Sequence, residues 1–237
     1  MSVAPFPTTR RSVVLALASA DAAERTRAFD TLVACYWKPL YKYGRVAWHR
    51  TREDAEDLTQ SFFTRAFEKE ALAAYDASKA SFRTFLRLLF DRHTANEWKA
   101  GQRVKRGGSE VHLDFEAAEA EIGRESTTLT PEEYFQREWT RSVFAVAVER
   151  LRARCESEGK QTHFAIFERY DLDDDRTISY RELAARFGIA ETQVTNHLAA
   201  MRRRFRELVL EALREVTASE EEFRIEARAL LGGGAAR

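Results

Sequence analysis

Tyr180-Arg-Glu-Leu-Ala-Ala-Arg-Phe-Gly-Ile-Ala-Glu-Thr-Gln-Val-Thr-Asn-His-Leu-Ala-Ala-Met-Arg-Arg-Arg-Phe-Arg-Glu-Leu208 is the stretch whose reading decides the fold. Tyr180, Leu183, Ala184 and Phe187 fall at helical spacing and make one apolar face. Gly188 follows at once, where a positive φ ends a helix at little cost. Val194, Leu198, Met201, Phe205 and Leu208 then carry the apolar face of a second, longer helix. Ala184 is small where the two helices would cross closely. The pattern predicts a helix-turn-helix over 180–208, whose second helix presents Glu191, Thr192, Gln193, Thr195 and Asn196 to base edges in a major groove. The competing reading is a plain helical hairpin inside a core. Arg202, Arg203, Arg204 and Arg206 weigh against it, because phosphate contact is a natural use for such a cluster.

The composition points the same way. The chain has 237 residues, 44% of them hydrophobic, with only ten Gly and four Pro, and it is rich in Ala, Arg, Glu and Leu. That mixture predicts an all-α protein with packed cores. No apolar run reaches the length of a membrane span, and Val13–Ala18, after Arg10 and Arg11, is too short to read as a signal peptide. Cys35 and Cys155 lie far apart with no Cys or His at metal-ligand spacing. They read as the reduced thiols of a cytoplasmic protein.

The formal net charge is zero, from 38 basic and 38 acidic residues. Phosphate neutralisation supplies most non-specific DNA affinity, so a neutral chain is an unusual unaided DNA binder. The charges are segregated, with Arg83–Arg106 mostly basic and Glu110–Glu133 mostly acidic. Such a chain needs a larger partner to hold it on DNA.

Residues 1–21 read as an N-terminal extension. Residues 22–106 are nearly continuous helical pattern, broken at Pro39, at His49–Arg52 and at Asp76–Ser81. Residues 107–130 read as an acidic linker. Thr130 is placed to cap a helix starting at Pro131-Glu132-Glu133, and helical pattern runs on through 131–216. A C-terminal extension, 217–237, holds a short amphipathic helix over Glu220–Leu231, followed by Gly232-Gly233-Gly234. There is no internal repeat.

Two further signals lie in the first block. In Asp54-Ala-Glu-Asp-Leu-Thr-Gln-Ser-Phe-Phe-Thr-Arg-Ala-Phe67, residues Ala55, Leu58, Phe62, Phe63, Ala66 and Phe67 make a buried side. Asp54, Glu56, Asp57, Gln60 and Ser61 lie toward the other. Acidic residues at a helix start favour the helix dipole, and the same face offers a docking surface to a basic partner helix. Downstream, the polar loop Asp76–Ser81 leads into a helix with Phe82, Phe85, Leu86 and Leu89 inward. Arg83, Arg87, Arg92, Asn96 and Lys99 are left to face outward. Basic and aromatic residues interleaved beside a polar loop suit unstacked bases and a single-strand backbone.

The ordered set of acidic docking helix, loop with basic-aromatic helix, acidic linker and helix-turn-helix resembles the sigma-70 family of bacterial RNA polymerase sigma factors. The likeness is to the small extracytoplasmic-function (ECF) type. Phe6-Pro7-Thr8-Thr9-Arg10-Arg11-Ser12-Val13-Val14-Leu15, Tyr36-Trp37-Lys38-Pro39-Leu40-Tyr41, Asp57-Leu58-Thr59-Gln60 and Leu113-Asp114-Phe115 carry it to one subgroup of these. The resemblance implies a sigma-2-like domain over 22–106. Its Asp54, Glu56, Asp57 and Gln60 would dock on core RNA polymerase. Asp76, Ser78 and Lys79 would capture a flipped base of the −10 element, and Arg92, Asn96, Lys99 and Arg103 would line the promoter-facing helix. The linker would enter the polymerase channel. A sigma-4-like domain over 131–216 would read the −35 element with Thr192, Gln193, Thr195, Asn196, His197, Arg202 and Arg203. The implied function is transcription initiation at promoter DNA, with no catalysis and no cofactor, and a regulator such as an anti-sigma factor as a further partner. Thr195 and His197 stand where such proteins commonly carry more basic residues.

Asp171-Leu-Asp-Asp-Asp-Arg-Thr-Ile-Ser-Tyr-Arg-Glu182 has the spacing of an EF-hand loop, with Asp171, Asp173, Asp175 and Glu182 as the carboxylate ligands. Its sixth position needs Gly for the sharp turn and has Arg176, which costs about 1 kcal/mol or more and opposes a cation. No metal is therefore assigned, and Ser179 reads as the cap of the next helix. A stand-alone helix-turn-helix regulator and a calcium-responsive helical protein are the alternative functions. His49, His93, His112, His163 and His197 form no metal or nucleophile constellation, so no catalytic residue is assigned.

Overall fold

The computed structural model describes residues 13–16, 19, 21–68, 71–100, 113–122, 128–173 and 178–232. Among these residues every regular element is helical: α1 (Val13–Ala16), α2 (Ala22–Ala47), α3 (Arg52–Glu68), a 3-10 turn (Ala71–Ala74), α4 (Phe82–Ala100), α5 (Phe115–Ile122), α6 (Pro131–Ser157), α7 (Gln161–Phe167), a π-helical turn (Glu168–Leu172), α8 (Tyr180–Phe187), α9 (Glu191–Glu215) and α10 (Glu220–Gly232). The all-α expectation holds for the described chain. Two compact units are present. One gathers Met1–Ser142 with Leu213–Arg237, and the other is Val143–Ala212. Their boundaries fall inside α6 and α9 rather than in the 107–130 segment.

The first unit is organised on α2. Asp21 caps it, accepting the Ala23 N–H at 2.9 Å. The expected break at Pro39 is a correction: Pro39 is buried inside α2, and the helix runs on to Ala47. A proline costs one backbone hydrogen bond there. Tyr36, Leu40 and Tyr41 beside it are wholly buried, so tertiary packing overrides the local rule. The break expected at His49–Arg52 is present, with His49 in the left-handed region at φ 50°.

On α3, Ala55, Leu58, Phe62, Phe63 and Ala66 are buried as their spacing predicts. Phe62 packs edge-on against Phe90 of α4 at 5.3 Å between ring centroids. On α4, Phe82, Leu86 and Phe90 are fully buried, while Phe85 and Leu89 are half-buried. The first turns of α6 belong to this unit too, with Tyr134, Phe135 and Trp139 buried and Trp139 beside Tyr36. Thr130 caps α6, and Glu133 returns to the Thr130 N–H at 2.9 Å, a capping box.

The acidic middle of 107–130 is helix α5. Phe115 and Ala118 pack on Tyr41 and Ala55 with Trp37 alongside. Its carboxylates meet the basic side of α2. Arg45 holds Glu119 through Nε at 2.9 Å and through Nη2, and the Tyr41 hydroxyl donates to Glu119 at 2.7 Å. Lys38 and Lys42 both reach Glu121. Lys42 is completely buried and also pairs with buried Glu138 of α6 at 2.6 Å.

In the second unit α6 lays down one stripe at four-residue spacing: Val143, Ala147, Leu151 and Cys155. Against this unit's core come Phe164, Ile166 and Phe167, Leu183 and Ala184, and Val194, Leu198, Met201 and Leu208. Phe144 and Phe167 both lie within 6 Å of the Phe205 ring, at 5.9 and 5.6 Å between centroids.

Candidate nucleic-acid interface

The helix-turn-helix has the expected local chemistry. Ser179 caps α8, accepting the Glu182 N–H at 3.2 Å, and Glu182 accepts the Ser179 N–H at 2.7 Å. Gly188 closes α8 in the left-handed region, φ 65° and ψ 35°, and its N–H returns to the Ala184 carbonyl. An added Cβ there would meet nothing within 4 Å, so backbone conformation alone selects glycine. α9 starts three residues later. Thr192, Gln193, Thr195 and Asn196 are all exposed at its N-terminal end, while Val194 and Leu198 are buried.

These side chains are not equally available. The Gln193 Oε1 accepts the Ala190 N–H at 3.0 Å, which leaves its amide NH2 as the group it can offer to a base. The Thr195 hydroxyl donates to the Glu191 carbonyl at 3.2 Å. The Asn196 side chain is exposed and forms no hydrogen bond with another described residue. His197 is half-buried and stacks on His163 of α7, with ring centroids 3.7 Å apart. Burial, His197, Lys160 and Arg204 together push the His163 imidazole below its ordinary pKa.

The basic cluster is divided. Arg202 makes a bidentate pair with Asp171 of the π-helical turn, Nε at 2.9 Å and Nη2 at 2.8 Å. That contact raises the guanidinium pKa further. Arg204 pairs with Glu158 at 2.7 Å. Arg203 and Arg206 are exposed and have no carboxylate partner among the described residues. Nothing local in the sequence pairs Asp171 and Glu158 with these arginines, because the pairing depends on how α6 and the π-helical turn pack beside α9. At the other calcium-loop positions, Asp173 pairs with Arg169 at 2.9 Å and Glu182 serves the capping box. Asp175 lies outside the described residues. Among the described residues no three His, Cys, Asp or Glu side chains converge as a metal site.

In the first unit, the loop before α4 is ordered around Asp76. Its Oδ1 accepts the Ser78 N–H at 3.0 Å and the Ser78 hydroxyl at 2.7 Å, and Lys79 lies 3.2 Å from Oδ2. These hydrogen bonds, with Ser78 first, hold the Asp76 carboxyl down to about 2. The Tyr75 hydroxyl donates to the Ala80 carbonyl at 3.1 Å and closes the loop. Along α4, Arg92 and Asn96 are exposed one turn apart on one side. Arg87 instead pairs with Asp91 at 2.9 Å and reaches the Tyr43 hydroxyl at 3.2 Å. The side chain of Lys99, and Arg103 altogether, lie outside the described residues.

The polar face of α3 is open. Asp54, Asp57 and Gln60 are exposed, and Glu56 pairs with Arg52 one turn back, at 2.8 Å. Thr51 accepts the Asp54 N–H at 3.1 Å and starts the helix. Among the described residues no helix is long and apolar enough to cross a membrane. No protein-family model, curated protein sequence or solved structure matches this chain.

Proposed function

We propose that this chain is an ECF-type sigma factor, a dissociable subunit that binds core RNA polymerase and directs it to promoters. The observation that carries the reading is the helix-turn-helix. A capped helix, a left-handed glycine and a second helix expose Thr192, Gln193 and Asn196 together, with Arg203 and Arg206 two turns and more beyond. That is the layout of base contacts followed by backbone contacts. The exposed acidic face of α3 and the arginine and asparagine on α4 support the remaining parts, polymerase docking and contact with the melted strand. Zero net charge supports dependence on a partner for DNA affinity.

Purified chain is mixed with bacterial core RNA polymerase and with promoter duplex, separately and together. The reading expects co-elution with core polymerase and stable promoter binding only in its presence. Failure to co-elute, with tight duplex binding by the chain alone, would instead make it a stand-alone helix-turn-helix regulator.

A further inference from the structure

Resting on the reading above, we propose that helix α10 is an acidic strap that competes with single-stranded nucleic acid for the head of α4. The first backbone donor of α4, the Phe82 N–H, is taken by Glu222 Oε1 at 2.8 Å. Glu222 is itself fixed, because its other oxygen accepts the Ala218 N–H at 2.8 Å and its own N–H donates to Ser219 Oγ at 3.1 Å. One turn further along α10, buried Glu226 pairs with Arg83 at 2.7 Å. The Arg83 guanidinium lies over the Trp139 ring, 4.6 Å from its centroid, a cation–π contact that helps hold it in place. Two carboxylates thus sit on two successive donors, a helix-start N–H and a guanidinium.

Those donors follow directly on the Asp76–Ser81 loop. Phe82 packs edge-on against Tyr75 of the loop's leading edge at 5.1 Å between ring centroids. A phosphate of a strand lying along the loop and across the head of α4 would seek the same N–H and guanidinium. The carboxylates and that phosphate exclude one another. The hold of α10 is weighted toward charge. Phe223 is its one buried apolar side chain, under the Arg214 guanidinium at 4.2 Å, while Leu230 and Leu231 are half-buried and Ile225 is exposed. A polyanion that meets the same two donors can take the place of these carboxylates.

The test measures binding of a fluorescein-labelled single-stranded mixed-sequence DNA 20-mer to the full chain by anisotropy. E222Q/E226Q should bind roughly tenfold tighter than wild type, since two negative charges leave the strand's path. Adding Arg83→Ala to that variant should remove the gain. The second measurement needs no variant: saturating oligonucleotide on wild type should speed amide exchange across α10 and slow it at the start of α4. Unchanged strand affinity in a folded E222Q/E226Q protein, or unchanged exchange in α10 under saturation, overturns the strap. Core polymerase co-elution is read on the same proteins. Its loss would strike the sigma reading and leave the strap to be judged by strand affinity and exchange.

Discussion

Replacing Glu138 by leucine strands the Lys42 ammonium in the first compact unit. The Lys42 side chain has no exposed surface, and its Nζ lies 2.6 Å from Glu138 and 2.6 Å from Glu121. Glu138 is 3% exposed, whereas Glu121 is 41% exposed and its attraction is screened by water. Arg137 and Arg141, which also reach Glu138, are 32% and 50% exposed and can turn to solvent. The loss therefore concentrates on Lys42. Breaking a buried pair from one side costs about 3–5 kcal/mol, and the surviving Glu121 contact places this case near 3. For a domain of this size that is a fall of about 6–12 °C in Tm. Circular dichroism melts and urea titrations measure it. The double variant K42M/E138L should recover most of the loss, because no charge is left unpaired in the interior. A Glu138→Leu protein that melts within about 1 °C of wild type, or a double variant no better than the single, would refute the reasoning.

Asp57→Arg places a cation on the exposed face of α3 and should weaken binding to core polymerase by several kcal/mol without loss of helix content, read by titration and circular dichroism. Asn196→Ala should relax −35 base preference at about 1–3 kcal/mol per lost contact, whereas Arg203→Ala should weaken all sequences alike and flatten the salt dependence. A promoter-library selection separates the two, and the reverse assignment would mean α9 enters the groove differently. The Asp76 carboxyl should titrate near 2 by NMR and move up toward the ordinary carboxylate range in Ser78→Ala. Because its folded pKa is depressed, the turn it closes is fully supported above about pH 4 and is lost as pH falls toward 2. An Asp76 that titrates normally in wild type would remove the Asx turn.

Local periodicity made the helix-turn-helix legible. Leu183 and Ala184, then Val194, Leu198 and Met201, repeat at helical spacing, and Ser179, Thr130 and Gly188 are capping residues by type. What the sequence could not show were choices made across the chain. Arg45 finds Glu119 across 74 residues, and Phe82 finds Glu222 across 140. Nothing local distinguishes these carboxylates from their solvated neighbours. For the same reason the basic cluster read as one phosphate surface, while Arg202 and Arg204 are already committed to Asp171 and Glu158. His197 looked like a groove-facing residue, and its stacking on His163 depends on where α7 lies. Pro39 misled in the opposite way, since its local cost was legible and the packing that offsets it was not.

The most direct test of the central claim is transcription by core polymerase with and without this chain. Core enzyme and a fragmented genomic template from the source organism are incubated with each, and transcript 5′ ends are sequenced. A promoter-directing subunit should give new starts that appear only with the chain and share paired sequence elements near −35 and −10. Starts that are identical with and without the chain would contradict that role.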